Sequence, residues 1–494
     1  MSLFTAIILF FYLLAVVVLA LFGLHRYYLV YLYYKYKNKP LKPKRKFDKL
    51  PPVTVQLPIY NEYYVIERLI TSVCQLDYPQ ELLEIQILDD STDETSAKAQ
   101  ELVDKFRKAG LDIVYYHREH RDGFKAGALQ YGLNQAKGEF LVILDADFKA
   151  PSDLLKKSID FFADEKIGMV QFRWGHLNRD FSVLTKLQSI FLDGHFMIEQ
   201  TARHRSGRFF NFNGTAGIWR KEAIASSGGW QSDTLTEDLD LSYRAQLAGW
   251  EFIYLADVVC EAELPIEMNS YKTQQHRWAK GSVQTAKKLL PVIWKSGLPW
   301  PMKLEATFHL TNNLSYLFML IPLILILPSL ALWLNLDWNK AFLVYTFFFI
   351  TTTLSVWFYF ACSQKEIYKN WKTVLKYLPI LLPLGIGLWV NNTKAALEGL
   401  WNYKTEFVRT PKYGIEKKLS FLTPLRYQSQ HNWVSLAELI FFGYLTLTIF
   451  YAWANKIYVA IPLLLVFQIG FGIVTILSWS HSRKFKQVNL GFNS

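Results

Sequence analysis

The sequence predicts an α/β domain with a mostly parallel sheet, inserted between membrane-spanning helices, and three observations predict it. Short β-rich runs alternate with amphipathic helical stretches between residues 48 and about 302. Uncharged runs near the ~20 residues that a spanning helix needs lie on both sides of that region. The composition agrees: of 494 residues 51% are hydrophobic and 16% aromatic, and the formal charge is +12. That combination suits a membrane protein with a basic cytoplasmic surface. The Lys and Arg residues stand beside apolar runs rather than on a soluble patch, which argues against nucleic acid as a partner.

The first element is the apolar run 3–24. It has no basic leader and no small-residue cleavage site, so it reads as a retained anchor rather than a signal peptide. Lys35, Lys37, Lys39, Lys42, Lys44, Arg45 and Lys46 follow it, and the positive-inside rule places the next domain in the cytoplasm. In that domain 53–57, 84–88, 113–116, 140–144 and 169–172 read as strands, with 63–75, 96–108 and 126–136 as helices between them. Further on, the runs 314–334, 341–362 and 457–479 are long enough to span a bilayer. The shorter run 439–454 pairs with the last of these across an Asn455-Lys456 turn and makes a fifth span. Segment 377–390 has about two-thirds of a spanning length and carries Pro379, Pro383, Gly385 and Gly387, so it reads as interfacial or re-entrant. The chain thus divides into an anchor and basic linker (1–47), a cytoplasmic α/β domain (48–302) and a membrane region (303–494). Cys74, Cys260 and Cys362 are far apart and lack metal-ligand spacing, so neither a disulfide framework nor a zinc site is expected.

In a parallel α/β sheet, ligands bind at the carboxyl ends of the strands, and acids stand there. Strand 84–88 delivers Asp89-Asp90, and strand 140–144 delivers Asp145-Ala146-Asp147. An Asp-x-Asp pair can hold a hard cation through oxygen ligands, with a diphosphate completing the shell. An isolated pair serves as often to cap a turn, but two strand-end clusters in one domain favour a site. A third cluster, Thr236-Glu237-Asp238, precedes the helical run 239–247 and has the look of acids in a first helical turn. Beside a metal-bound diphosphate, such a carboxylate could also take a proton from an attacking hydroxyl, and Asp238 is the candidate. Last comes Gln274-Gln275-His276-Arg277-Trp278, whose Arg and His can meet a developing diphosphate charge while the indole stacks on a sugar ring.

The ordered set of Asp90, Asp145-Ala-Asp147, Thr-Glu237-Asp238 and Gln274-x-x-Arg277-Trp278 resembles the D, DxD, TED, QxxRW series of processive family 2 glycosyltransferases, which include cellulose, chitin and hyaluronan synthases. The resemblance is strongest to the cellulose synthase-like A group, the glucomannan β-1,4-mannosyltransferases. It extends through Leu57-Pro-Ile-Tyr-Asn-Glu62, Gly123-Phe-Lys-Ala-Gly-Ala-Leu129 and Phe212-Asn-Gly-Thr-Ala-Gly217, and covers roughly residues 53–282. It implies a GT-A type domain, a nucleotide-sugar donor (GDP-mannose favoured over UDP-glucose), a growing polysaccharide as acceptor, and a bilayer around the spans. By the same resemblance Asp90 contacts the nucleotide base, and Lys125, Gln274 and Arg277 contact the donor. Asp145 and Asp147 bind the diphosphate with Mg2+ or Mn2+. Asp238 is the general base with Glu237 beside it, and Trp278 supports the acceptor end. Phe407-Val-Arg-Thr-Pro-Lys412 resembles the FxVTxK gating loop of cellulose synthases, with Arg409 where Val is expected.

Three other readings compete. A glycoside hydrolase also uses paired carboxylates, but the Asp-x-Asp pair and Lys125 favour transfer. A lipid glycosyltransferase of the ceramide kind would share the motif series and add one sugar only. The third is a transporter or a non-catalytic scaffold, and a proton-coupled carrier is disfavoured because intramembrane charges are sparse. A bacterial plasma membrane or a Golgi membrane would both suit the retained first span.

Overall fold

The computed structural model describes residues 3–333, 347–348, 350–403, 409–416 and 433–490. Its centre is a seven-stranded sheet in the order β3-β2-β1-β4-β6-β5-β7. The strands are β1 (Val53–Ile59), β2 (Leu83–Asp89), β3 (Asp112–His117), β4 (Phe140–Ile143), β5 (Ile167–His176), β6 (Gly217–Arg220) and β7 (Glu251–Ala262). β1, β2, β3 and β4 pair in parallel, as do β5 and β7, and only β6 runs antiparallel to its neighbours. The five strands expected from the sequence are therefore present. β6 and β7 are additions that the sequence reading did not include, and β5 continues past its expected end.

β1 and β2 are buried almost throughout, as central strands with helices on both faces must be. The helices are α1 (Leu3–Tyr36), α2 (Ile66–Cys74), α3 (Thr95–Lys108), α4 (Phe124–Gln135), α5 (Val183–Asp193), α6 (Thr201–Arg205), α7 (Lys221–Ser226), α8 (Glu237–Leu247), α9 (Met268–Lys295), α10 (Trp300–Thr311) and α11 (Ser315–Trp333). One face of the sheet packs on Ile66, Leu69 and Val73 of α2 and Ala99 and Val103 of α3. The other packs on Ala126, Leu129 and Leu133 of α4, Ile224 of α7 and Leu241 and Ala245 of α8. The result is three layers, with β1, β2 and β4 all ending at one edge. A third cluster ties this domain to the apolar helices: Leu239 and Tyr243 of α8, Ala286, Leu289 and Ile293 of α9, and Ala306 and Leu310 of α10.

Among the described residues four helices are long and apolar enough to cross a membrane: Ala6–Tyr36, Trp300–Ala331, Val434–Ala454 and Tyr458–Ser482. They contain or overlap the expected runs 3–24, 314–334, 439–454 and 457–479. The expected span 341–362 lies partly outside the described residues, and its final part enters the helix Ser355–Ile367. Segment 377–390 forms the helix Leu378–Gly387, the end of a helical stretch Trp371–Gly387 that meets Trp389–Leu400 at a bend of 46°. The bent pair is a broken span or a re-entrant loop by length and composition.

Candidate active site

The carboxyl edge of the sheet opens into a cleft enclosing about 1300 Å³, open solvent included. Asp90, Lys125, Asp145, Asp147, Glu237, Asp238, Gln274, Arg277 and Trp278 all line it, so every site residue expected from the sequence is gathered there. His276 is the exception among the neighbouring candidates. It faces Glu398 at 3.1 Å, on another side of α9, because helical spacing turns it away from Arg277 and Trp278.

Each strand-end acid meets a cation. Asp90, just past β2, accepts a fork from Arg118: Nε to Oδ1 at 2.7 Å and Nη2 to Oδ2 at 2.6 Å. Arg118 is itself fixed by the carbonyls of Asp122 and Phe124, and the Arg121 guanidinium stacks over Tyr60 at 3.5 Å. Past β4, Asp145 Oδ1 accepts from Lys125 Nζ at 2.5 Å, and the same ammonium donates to Gly214 O at 2.8 Å. Lys125 thus clamps the Asp-x-Asp turn to the turn that begins with Asn213. Asp147 Oδ2 accepts from Lys412 Nζ at 2.7 Å and from the Glu263 N–H at 3.3 Å.

Glu237 and Asp238 arrive differently, in the first turn of α8. The sequence suggested a helix start there, and the acids do sit in it, but Thr236 makes no side-chain cap. Its hydroxyl lies 3.2 Å from Thr285 on α9 instead. Gly281 permits this contact, since a Cβ there would stand 2.6–2.8 Å from Thr236 atoms. The close approach sets the helix carrying Gln274, Arg277 and Trp278 against the one carrying Asp238. Gly214, at φ +79°, works similarly: a Cβ would stand 3.1 Å from Asp238 Oδ2. Burial pushes the Asp238 carboxyl up to about 7, Glu237 adds to the rise, and Lys125 opposes it. Glu237 is raised as well, by burial first and against Lys125. Burial disfavours the charge on Arg277, while Glu237, Asp145 and Asp238 support it.

A strap formed by residues 409–416 closes one side of the cleft. Arg409 forks onto Glu62 (2.9 and 2.6 Å), and Lys412 reaches Asp147 and Glu263 O. The backbone N–H groups of Tyr413 and Gly414 each donate to the Glu263 carboxylate at 2.9 Å. Burial pushes Glu62 up to about 7 even against Arg409. Phe407 and Val408 of the gating-like motif lie outside the described residues. Glu62, Glu263, Arg118 and Arg121 were not among the expected site residues. The basic run Arg118 to Arg121 after β3 was the available signal for the last two. Glu62 and Glu263 find partners in the strap, roughly 347 and 150 residues away, where no local pattern points.

This sheet, with acids on its strand ends facing a buried carboxylate, defines a glycosyltransferase domain of the GT-A class. Residues 51–281 match the family model described as "Glycosyltransferase like family 2", so that segment is similar to the family 2 glycosyltransferases. It is 36% identical over 337 residues to glucomannan 4-beta-mannosyltransferase 2 of Arabidopsis thaliana, covering 66% of this chain and 56% of the relative. It is 40% identical over 267 residues to glucomannan 4-beta-mannosyltransferase 1 of Cyamopsis tetragonoloba, covering 53% and 51%. The chain spans about half the length of these curated relatives. In fold it is similar to a mannosyltransferase from Pyrobaculum calidifontis solved with GDP-Man and Mn2+, at a TM-score of 0.55 and 22% identity, over 78% of this chain and all of that one.

Proposed function

We propose that the protein transfers mannosyl units from GDP-mannose to the end of a growing β-1,4-linked polysaccharide and passes the product across the membrane that its helices span. The observation that carries this reading is the meeting, in one cleft, of a carboxyl raised to about 7 (Asp238) with Lys125, Arg277 and Trp278. Mannose as the sugar is supported by the names of the relatives and by the GDP-Man complex of the similar fold. The catalytic domain at 48–302 faces the cytoplasm, in a Golgi or bacterial plasma membrane.

In this reading Asp238 removes the proton of the acceptor 4-hydroxyl, and Glu237 supports its raised basicity. The hydroxyl attacks the sugar on the face opposite the diphosphate, so one displacement turns an α-linked donor into a β-linked product. Lys125 and Arg277 stand where the diphosphate leaves, Gln274 lines its path, and Asp90 anchors the base end of the donor. Trp278 offers an apolar face to the acceptor sugar. The chemistry of the donor set fits Mg2+ or Mn2+. Asp145 leaves 34% of its side chain exposed, and Asp145 and Asp147 present the hard oxygens such ions prefer. Among the described residues no group of three His, Cys, Asp or Glu forms a metal cage, so diphosphate oxygens would complete the shell. When bound there, the cation neutralises the leaving diphosphate.

The test is purified protein in detergent incubated with GDP-mannose, UDP-glucose and other nucleotide sugars, with and without Mn2+, followed by digestion with mannanase or cellulase. A mannanase-sensitive polymer made from GDP-mannose is the expected product. A cellulase-sensitive polymer from UDP-glucose would replace mannose by glucose, and a single-sugar lipid product would overturn polymerisation.

A further inference from the structure

Behind the cleft, a π-helical turn (Gly194–Gln200) joins α5 to α6. Such turns are rare and gather at functional sites. This one aims His195 and Gln200 at Asn213, a cleft-lining residue next to Gly214, where a Cβ would stand 3.1 Å from Asp238 Oδ2. The hydrogen-bond sense of the cluster follows from a single backbone atom. Asn211 O can only accept, so Gln200 turns its amide nitrogen to it at 2.9 Å, and that nitrogen also donates to Asn213 Oδ1 at 2.5 Å. With its oxygen used, Asn213 presents Nδ2 to His195 Nε2 at 2.9 Å. A donor there requires a lone pair on Nε2, so the imidazole is neutral and carries its proton on Nδ1, which faces Glu199 Oε2 at 3.1 Å. Burial pushes the Glu199 carboxyl up, but Arg203 and His195 outweigh it and hold the group well below the usual range. Arg203 reaches Glu199 at 3.0 Å and continues to Glu305 on α10, which meets His25 of α1. His309 of α10 and Tyr359 of the helix Ser355–Ile367 are the other titratable groups acting on the Glu199 and His195 pair.

Among the described residues, the second Nδ2 hydrogen of Asn213 has no acceptor. We propose that Asn213 donates it to a hydroxyl of the acceptor sugar beside Asp238, and that His195, fixed in one neutral tautomer by Glu199, is the positioning residue that keeps the amide so turned. This rests on the transferase reading above. Protonating His195 Nε2 would set two donors face to face and turn the amide away.

The experiment uses the full chain in detergent with GDP-mannose and a β-1,4-mannooligosaccharide, fitting KM separately for donor and acceptor. Asn213→Ala raises the acceptor KM about tenfold, the scale of one lost hydrogen bond, and leaves the donor KM unchanged. Asn213→Asp, which keeps the size and the Oδ1 contact but not the donor, does the same. His195→Ala reproduces the effect, and His195→Gln restores it, because a Gln oxygen can accept from Asn213 while its nitrogen donates to Glu199. If both KM values move together, or His195→Gln behaves as His195→Ala, His195 is only packing and the inference fails. If the wild type transfers sugar from no nucleotide donor, the proposed function fails instead, and the inference with it.

Discussion

Two sets of acids share the cleft, and they are built in opposite ways. Asp90, Asp145 and Asp147 leave strand ends and each meets a basic side chain within 2.7 Å. Glu237 and Asp238 leave a helix start, and among the described residues neither has an ion-pair partner within 4 Å. Helix starts favour negative charge, yet burial and mutual repulsion win, and Asp238 rises to about 7. A carboxylate already matched by a cation suits holding a charged ligand. A carboxyl left near neutrality suits moving a proton, since general bases work best with a pKa near the working pH. In the proposed function the same residue type would take two roles, set by the element that delivers it.

The hardest test of that contrast is Asp238→Asn. If Asp238 is the base, turnover falls at least about a hundredfold while GDP-mannose binding, read by isothermal titration, persists. Retained turnover would leave the unpaired acids without a chemical role. Lys125→Met is the next largest: if Lys125 stands beside the leaving diphosphate as proposed, kcat falls about ten- to a hundredfold. It carries a second signature, because Lys125 opposes the rise of Asp238. Without it the Asp238 carboxyl climbs further, so the acid limb of the rate moves to higher pH. An unmoved limb would separate Lys125 from Asp238.

In the wild type that limb is the third expectation. If Asp238 is the base, it accepts a proton only when ionised, so kcat/KM should rise with pH through about 7 and then level. Initial rates between pH 5 and 9 check it, and a limb centred below pH 5 would move the base elsewhere in the cleft.

The strand-end half of this contrast was legible in the sequence, because a β-rich run followed by Asp-x-Asp places acids at an edge whatever else the chain does. Asp238 was legible only as an acid in a first helical turn; its raised pKa needed the packing of α8 against α9 at Gly281. β6 stayed hidden because four residues, Gly217–Arg220, show no period, and β7 because its twelve residues lay beyond the expected sheet. The strap was half visible. Its motif stood out near Lys412, but its grip on Glu62, Asp147 and Glu263 joins residues 150 to 347 positions apart. Such pairings are decided by tertiary packing and leave no mark on local composition.

The smallest expected effect is one of stability, and its sign is the informative part. A carboxyl whose pKa is raised on folding binds its proton more tightly in the folded state. For Asp238 that contribution is full below the ordinary carboxylate range and is lost as pH rises from about 3.8 through about 7. At pH 8 the fold therefore holds an ionised carboxylate in a buried place, and Asp238→Asn removes that strain at nearly constant volume. The variant should melt about 2–4 °C above the wild type at pH 8, and the gain should shrink at pH 5, where Asp238 is already protonated. Scanning fluorimetry of both proteins at the two pH values reads this directly. An inactive variant that melts higher only at alkaline pH would mark Asp238 as a residue kept for chemistry. One that melts lower at both would instead place its carboxylate among the paired acids that hold the site together.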